Sequence, residues 1–192
     1  MKQKSRTEYS VMNTTVAFAA QATAILMGFF TRIVFTRMLS EGYVGINGLF
    51  TDILNILSLS ELGVGTAITY ALYGPIARND IKKQQILMRM FRTFYRITAG
   101  VVLIAGLCLI PFLDILMKDR PDVDHLVIIY LLYLLNSFVS YLLIYKKTLV
   151  DAHQMNYITV MYHNGFLVLQ DICQIIVLLL TRNFILFLIV AV

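Results

Sequence analysis

The feature that most narrows the possible fold is a series of long apolar runs that carry no charge. Leu126 to Tyr145 is uncharged throughout, as are Tyr9 to Thr31 and Ile97 to Leu113. Roughly 20 apolar residues carry a helix across the hydrocarbon of a bilayer, where each backbone N–H and C=O must be satisfied inside the segment itself. Such runs recur along the whole chain. It is 59% hydrophobic and only 14% charged, against about 25% charged in a soluble domain. A water-soluble fold of 192 residues needs more polar surface than this. The expected fold class is therefore an all-α integral membrane protein, one membrane bundle over residues 1–192.

Hydropathy places the spans at about residues 9–37, 43–77, 90–113, 125–145, 156–181 and 184–192. The second is long: as one straight helix it would run about 50 Å, more than the apolar core of a bilayer. It must protrude, tilt or bend, and Gly63 and Gly65 mark the natural hinge, with Glu61 just before them. The sixth run is still apolar at Val192. The expectation is five complete spans and a cut sixth, the N-terminal part of a longer bundle.

The net charge of +5 is distributed as a topology signal rather than as a nucleic-acid face, because no basic run is interleaved with aromatics. Lys2, Lys4, Arg6, Arg78, Lys82, Lys83, Arg89, Arg92, Arg96, Lys146 and Lys147 fall on one side, 11 of the 16 basic residues. The excess predicts a cytoplasmic N-terminus. The basic start does not lead into a cleavable signal, since the run after it continues as a span. Lys82 to Arg96 alternates basic and apolar residues, so it is expected to lie along the interface before turning into the third span. Cys108 and Cys173 sit in apolar runs and read as buried free thiols. No metal spacing, phosphate-binding glycine loop, zinc pair or nucleophile elbow occurs, so no cofactor, metal or catalytic set is expected.

Charged and amide side chains within spans are costly in hydrocarbon and face a cavity or a partner. On an ideal helix, Asn156, Tyr157, Thr159, His163, Asn164, Gln170, Asp171 and Gln174 fall within an arc of about 160°. That stripe reads as the wall of a hydrated cavity or as a polar seam between helices. In the first span Thr14, Gln21 and Arg32 share a face, and a guanidinium suits a phosphate through its bidentate fork. In the second, Asp52 and Asn55 lie on one side and Glu61 nearly opposite, which argues against a catalytic carboxylate pair and leaves Glu61 a structural role. The candidate cavity residues are Arg32, Gln21, Asp52, Asn55, Asn164, Gln170, Asp171 and Gln174.

The stretch Arg37-Met-Leu-Ser-Glu-Gly-Tyr-Val-Gly45 resembles the Arg-x-Leu-Gly-x-x-Tyr-x-Gly corner between the first two helices of polysaccharide flippases, with Ser40 where that family usually has glycine. Ser60-Glu-Leu-Gly-Val-Gly-Thr-Ala-Ile68, then Leu72-Tyr-Gly-Pro-Ile-Ala77 and the basic Asn79-Asp-Ile-Lys-Lys83, resemble the same family's second helix. The family is the polysaccharide branch of the multidrug/oligosaccharidyl-lipid/polysaccharide exporter superfamily. The resemblance implies an N-terminal lobe of a two-lobe, twelve-to-fourteen-helix transporter. It further implies movement of undecaprenyl-diphosphate-linked oligosaccharides across the bacterial cytoplasmic membrane by alternating access. The implied partners are that lipid-linked substrate, membrane lipids and other polysaccharide-assembly proteins. Two other readings compete: an ion-coupled multidrug exporter of the same superfamily, in which Asp52 and Asp171 would hold the cation, and a membrane-bound glycosyltransferase or polymerase.

Overall fold

The computed structural model describes residues 6–58, 64–117, 123–153 and 155–191. Among these the chain is all-helical and has no strand. In chain order the helices are α1 (Arg6–Met38), α2 (Glu41–Ser58), α3 (Val64–Ala77), α4 (Ile81–Leu109), α5 (Leu113–Leu116), α6 (Leu126–Ala152), α7 (Asn156–Thr181) and α8 (Phe184–Ala191). A 3-10 turn, Ile110–Phe112, joins α4 to α5.

Among the described residues, four segments are long and apolar enough to cross a membrane: Val11–Met38, Ile81–Phe112, Leu126–Ala152 and Asn156–Thr181. These four do not support the expected count of five complete spans and a cut sixth. The second expected span appears as two separate helices, 18 and 14 residues long, each shorter than the roughly 20 residues a crossing needs. Helix α8, eight residues long, covers the run expected as the cut sixth. Glu61 and Gly63 lie outside the described residues.

The helix ends follow from local chemistry. Asn79 adopts φ 55°, which asparagine tolerates, and turns the chain between α3 and α4. Asp80 then caps α4, its carboxylate accepting from the Lys83 N–H at 3.1 Å. Arg182 (φ 51°) closes α7. Asn183 starts α8 by accepting from the N–H of Ile185 at 2.9 Å. At the far end of α4 the Ile110 N–H bonds Leu107 O, three residues back, and Pro111 has no N–H to give. The Gly106 carbonyl in this last turn accepts instead from the buried Tyr130 hydroxyl of α6, at 2.9 Å.

Helix α6 is the hub and touches α2, α3, α4, α7 and α8. The core gathers Ile46, Phe50 and Ile53 of α2, Ile68 and Leu72 of α3, Phe91, Tyr95, Ala99 and Val102 of α4, and Ile129, Tyr130 and Leu134 of α6. Gly106 lets α4 and α6 close up, since a Cβ there would meet Leu134 Cδ2 at 3.0 Å and Cγ at 3.3 Å. At Gly65, where α3 meets α4, a Cβ would lie 3.4 Å from the Tyr95 hydroxyl, an ordinary contact. Helix α1 stands at the edge, with α7 as its main partner. The two run parallel. Near their starts Asn13 Oδ1 accepts from the Tyr157 N–H at 2.8 Å, and towards their ends the Thr31 hydroxyl donates to Asp171 Oδ1 at 3.1 Å.

Two further expectations are corrected. The segment from Lys82 to Arg96 does not turn before the third span, because α4 runs unbroken from Ile81 through it. Both thiols are free, but Cys108 is exposed and Cys173 only half-buried. In hydrocarbon an outward thiol on an apolar face has no need of burial. The same argument covers Phe18, Ile25, Phe29, Ile104, Ile115 and Leu180, all exposed. So much apolar surface is unusual in a soluble monomer and ordinary against lipid. The four long apolar helices and this outer surface are consistent with a membrane-embedded chain.

Candidate functional site

A cavity of about 250 Å³ opens between α2, α6, α7 and α8. Its polar lining is Asn47 of α2, Tyr133 and Asn136 of α6, and Gln174 of α7, and its apolar lining is Leu132, Phe187, Leu188 and Ala191. All four polar groups are neutral. Tyr133 donates its hydroxyl proton to Asn47 Oδ1, which ties α6 to α2. Asn136 Nδ2 donates to Ala191 O at 3.0 Å and Gln174 Nε2 to Phe187 O at 3.2 Å, so both amides hold α8 against the bundle. Each primary amide has two donor hydrogens and two acceptor lone pairs. These contacts leave each amide with further capacity for a hydroxylated guest.

The cavity lies near the end of the bundle where α1 passes to α2 and α7 to α8. There Phe35, Tyr43, Phe184 and Phe187 form an aromatic cluster with ring centroids 5.2 to 6.0 Å apart. Arg32 stands beside it, exposed, with its guanidinium carbon 5.7 Å from the centre of the Phe35 ring. That is within cation–π range. Phe35 in turn packs on Phe187 of the cavity wall, with ring centroids 5.4 Å apart, which sets Arg32 on the cavity's flank. Asp171 is half-buried one turn before Gln174, with its carboxylate turned to Thr31.

The structure thus draws Arg32, Asp171 and Gln174 into one neighbourhood. The other candidates lie apart. Gln21 on α1 and Asp52 and Asn55 on α2 are exposed and do not line the cavity. Asn164 turns back on its own helix, where Nδ2 donates to Val160 O at 2.9 Å. Gln170 is half-buried and outside the lining. The α7 stripe is in part a seam against α1, as the bonds from Asn13 and Thr31 show. Among the described residues no group of His, Cys, Asp and Glu is placed to hold a metal ion.

Three polar lining residues were not among the sequence candidates: Asn47, Tyr133 and Asn136. A signal existed for Asn136, the lone amide in the uncharged run from Leu126 to Tyr145 of α6. Asn47 and Tyr133 carried none, since their value lies in meeting each other across two helices. Comparison with known protein families, with characterised proteins and with solved structures finds no match to this chain.

Proposed function

We propose that this chain belongs to a flippase for polyprenyl-diphosphate-linked oligosaccharides, embedded in the bacterial cytoplasmic membrane with its N-terminus on the cytoplasmic side. The observation that carries the reading is the pairing of an exposed arginine with a neutral, amide-lined cavity beside it. A lipid-linked sugar has two parts with opposite needs. Its diphosphate is anionic and suits the planar fork of Arg32. Its sugar hydroxyls are neutral and need donors and acceptors in a site poor in water, which Asn47, Tyr133, Asn136 and Gln174 offer. The flippase-like stretches at 37–45 and 60–77 support the same reading from the sequence side.

Asp171 favours one alternative. A carboxylate at membrane depth, held by a hydroxyl from a second helix, suits cation coupling and so an ion-driven exporter of the same superfamily. The two readings part at Arg32 and Asp171. In a bacterial strain lacking its own flippase, the gene carrying this sequence should restore surface polysaccharide, and Arg32→Ala at matched membrane level should abolish that. Raised drug resistance without restored polysaccharide, lost in Asp171→Asn and kept in Arg32→Ala, would establish the exporter instead.

A further inference from the structure

Helix α4 divides lengthwise into three faces. On an ideal helix Phe91, Tyr95, Thr98, Ala99, Val102 and Gly106 fall together, and all are buried in the bundle. Ile86, Met90, Phe94, Ile97, Val101 and Ile104 form a second strip along the helix, all exposed. Lys82, Arg89, Arg92 and Arg96 form a third, within an arc of about 80°. All four are exposed. Over the same arc the strip continues as Gly100, Leu103 and Leu107, so the charge ends abruptly at Arg96.

That ending has a position in the bilayer. From Ile97 to Phe112 the helix covers about 24 Å, somewhat less than a hydrocarbon core of about 30 Å. Arg96 and Arg92 then sit at the boundary between hydrocarbon and headgroups, and Arg89 one turn further out. The three guanidiniums have no ion-pair partner among the described residues, where Lys83 with Asp80, 3.9 Å apart, is the one salt bridge. A solvated helix extension would need neither the exposed apolar strip beside the charges nor their alignment.

We propose that the strip of Arg89, Arg92 and Arg96, with Lys82, is a binding surface for the headgroup phosphate of an anionic phospholipid in the leaflet at the α3–α4 end. The acyl chains lie along Ile97, Val101 and Ile104, all exposed on the hydrocarbon side of Arg96, and the phosphate takes hydrogen bonds from the guanidiniums. Charge complementarity names the occupant: a zwitterionic lipid offers the same chains but no net charge to three unpaired cations. This surface is separate from the cavity between α2, α6, α7 and α8, and it stands whether the chain moves sugars or drugs.

The test is lipid retention by the full chain in neutral detergent, read by native mass spectrometry against phosphatidylglycerol and phosphatidylcholine. Phosphatidylglycerol should be retained preferentially. Each cation near the surface contributes about fivefold in affinity, so the triple variant R89Q/R92Q/R96Q should lose on the order of a hundredfold. R89K/R92K/R96K should keep most of the binding, which separates loss of charge from loss of fold. K146Q/K147Q removes two cations from the same end of the bundle and should change little. Equal retention of the two lipids would overturn the proposal. So would a loss in K146Q/K147Q as large as in the triple variant. Displacement by inorganic phosphate, but not by chloride of equal ionic strength, would assign the strip to a free anion and equally overturn it.

Discussion

At the scale of single residues, the bundle relies on a few close approaches that tolerate little change. Gly106 is the tightest. A methyl group there must displace Leu134, which is buried in the core. Gly106→Ala should cost about 1–3 kcal/mol by overpacking, seen as a lower midpoint of thermal unfolding in detergent. Tyr130→Phe removes the hydroxyl that satisfies the Gly106 carbonyl. It should cost about 1 kcal/mol with little change in shape, because the ring still packs edge-on to Phe50 at 5.1 Å. In the cavity, Tyr133→Phe deletes the proton given to Asn47, and Gln174→Leu deletes the tie to Phe187 O. Under the flippase reading both should lower polysaccharide export, and Asp52→Asn, outside the lining, should leave it near wild type.

At the scale of helices, α1 and α7 are held by polar contacts spaced along a parallel pair, while the centre of the bundle is held by apolar packing. Thr31→Val combined with Asp171→Leu tests that seam, since each removes one partner of the bond. Interhelical hydrogen bonds in membranes average about 0.6 kcal/mol and reach about 1.7. A double-mutant cycle on unfolding should return a coupling in that range, and additive effects would show that the seam stores nothing. The connection between α3 and α4 depends on Asp80. Asp80→Ala leaves the Lys83 N–H without its acceptor and should lower stability by about 1 kcal/mol.

At the scale of the whole molecule, the all-helical class was legible because hydrocarbon admits so few structures. A long uncharged run leaves the backbone no partner but its own helix, whatever surrounds it. That is why α4, α6 and α7 could be read directly from composition and run length. The span count was less legible. Hydropathy reports that Tyr43 to Ala77 is apolar, and it says nothing of whether the run is one helix or two. The continuity of α4 was misread for a related reason: alternating basic and apolar residues fit a helix lying on a surface as well as one leaving it.

The candidate site divides along the same line. Periodicity ranks faces within one helix, so it found the α7 stripe and, through it, Asp171 and Gln174. It also put Arg32 on a polar face of α1, where the structure sets it beside Phe35. A cavity is a relation among helices, and its walls depend on how each is rotated and how far each slides against its neighbours. Asn47 and Tyr133 are separated by 86 positions and become a pair only because α2 packs on α6. The same packing left Gln21, Asp52 and Asn55 outside the lining, although each stands on a polar face of its own helix. Local chemistry and the demands of the bilayer determine which segments are helices. The depth and direction of each side chain depend on contacts between distant segments, and a linear pattern does not encode them.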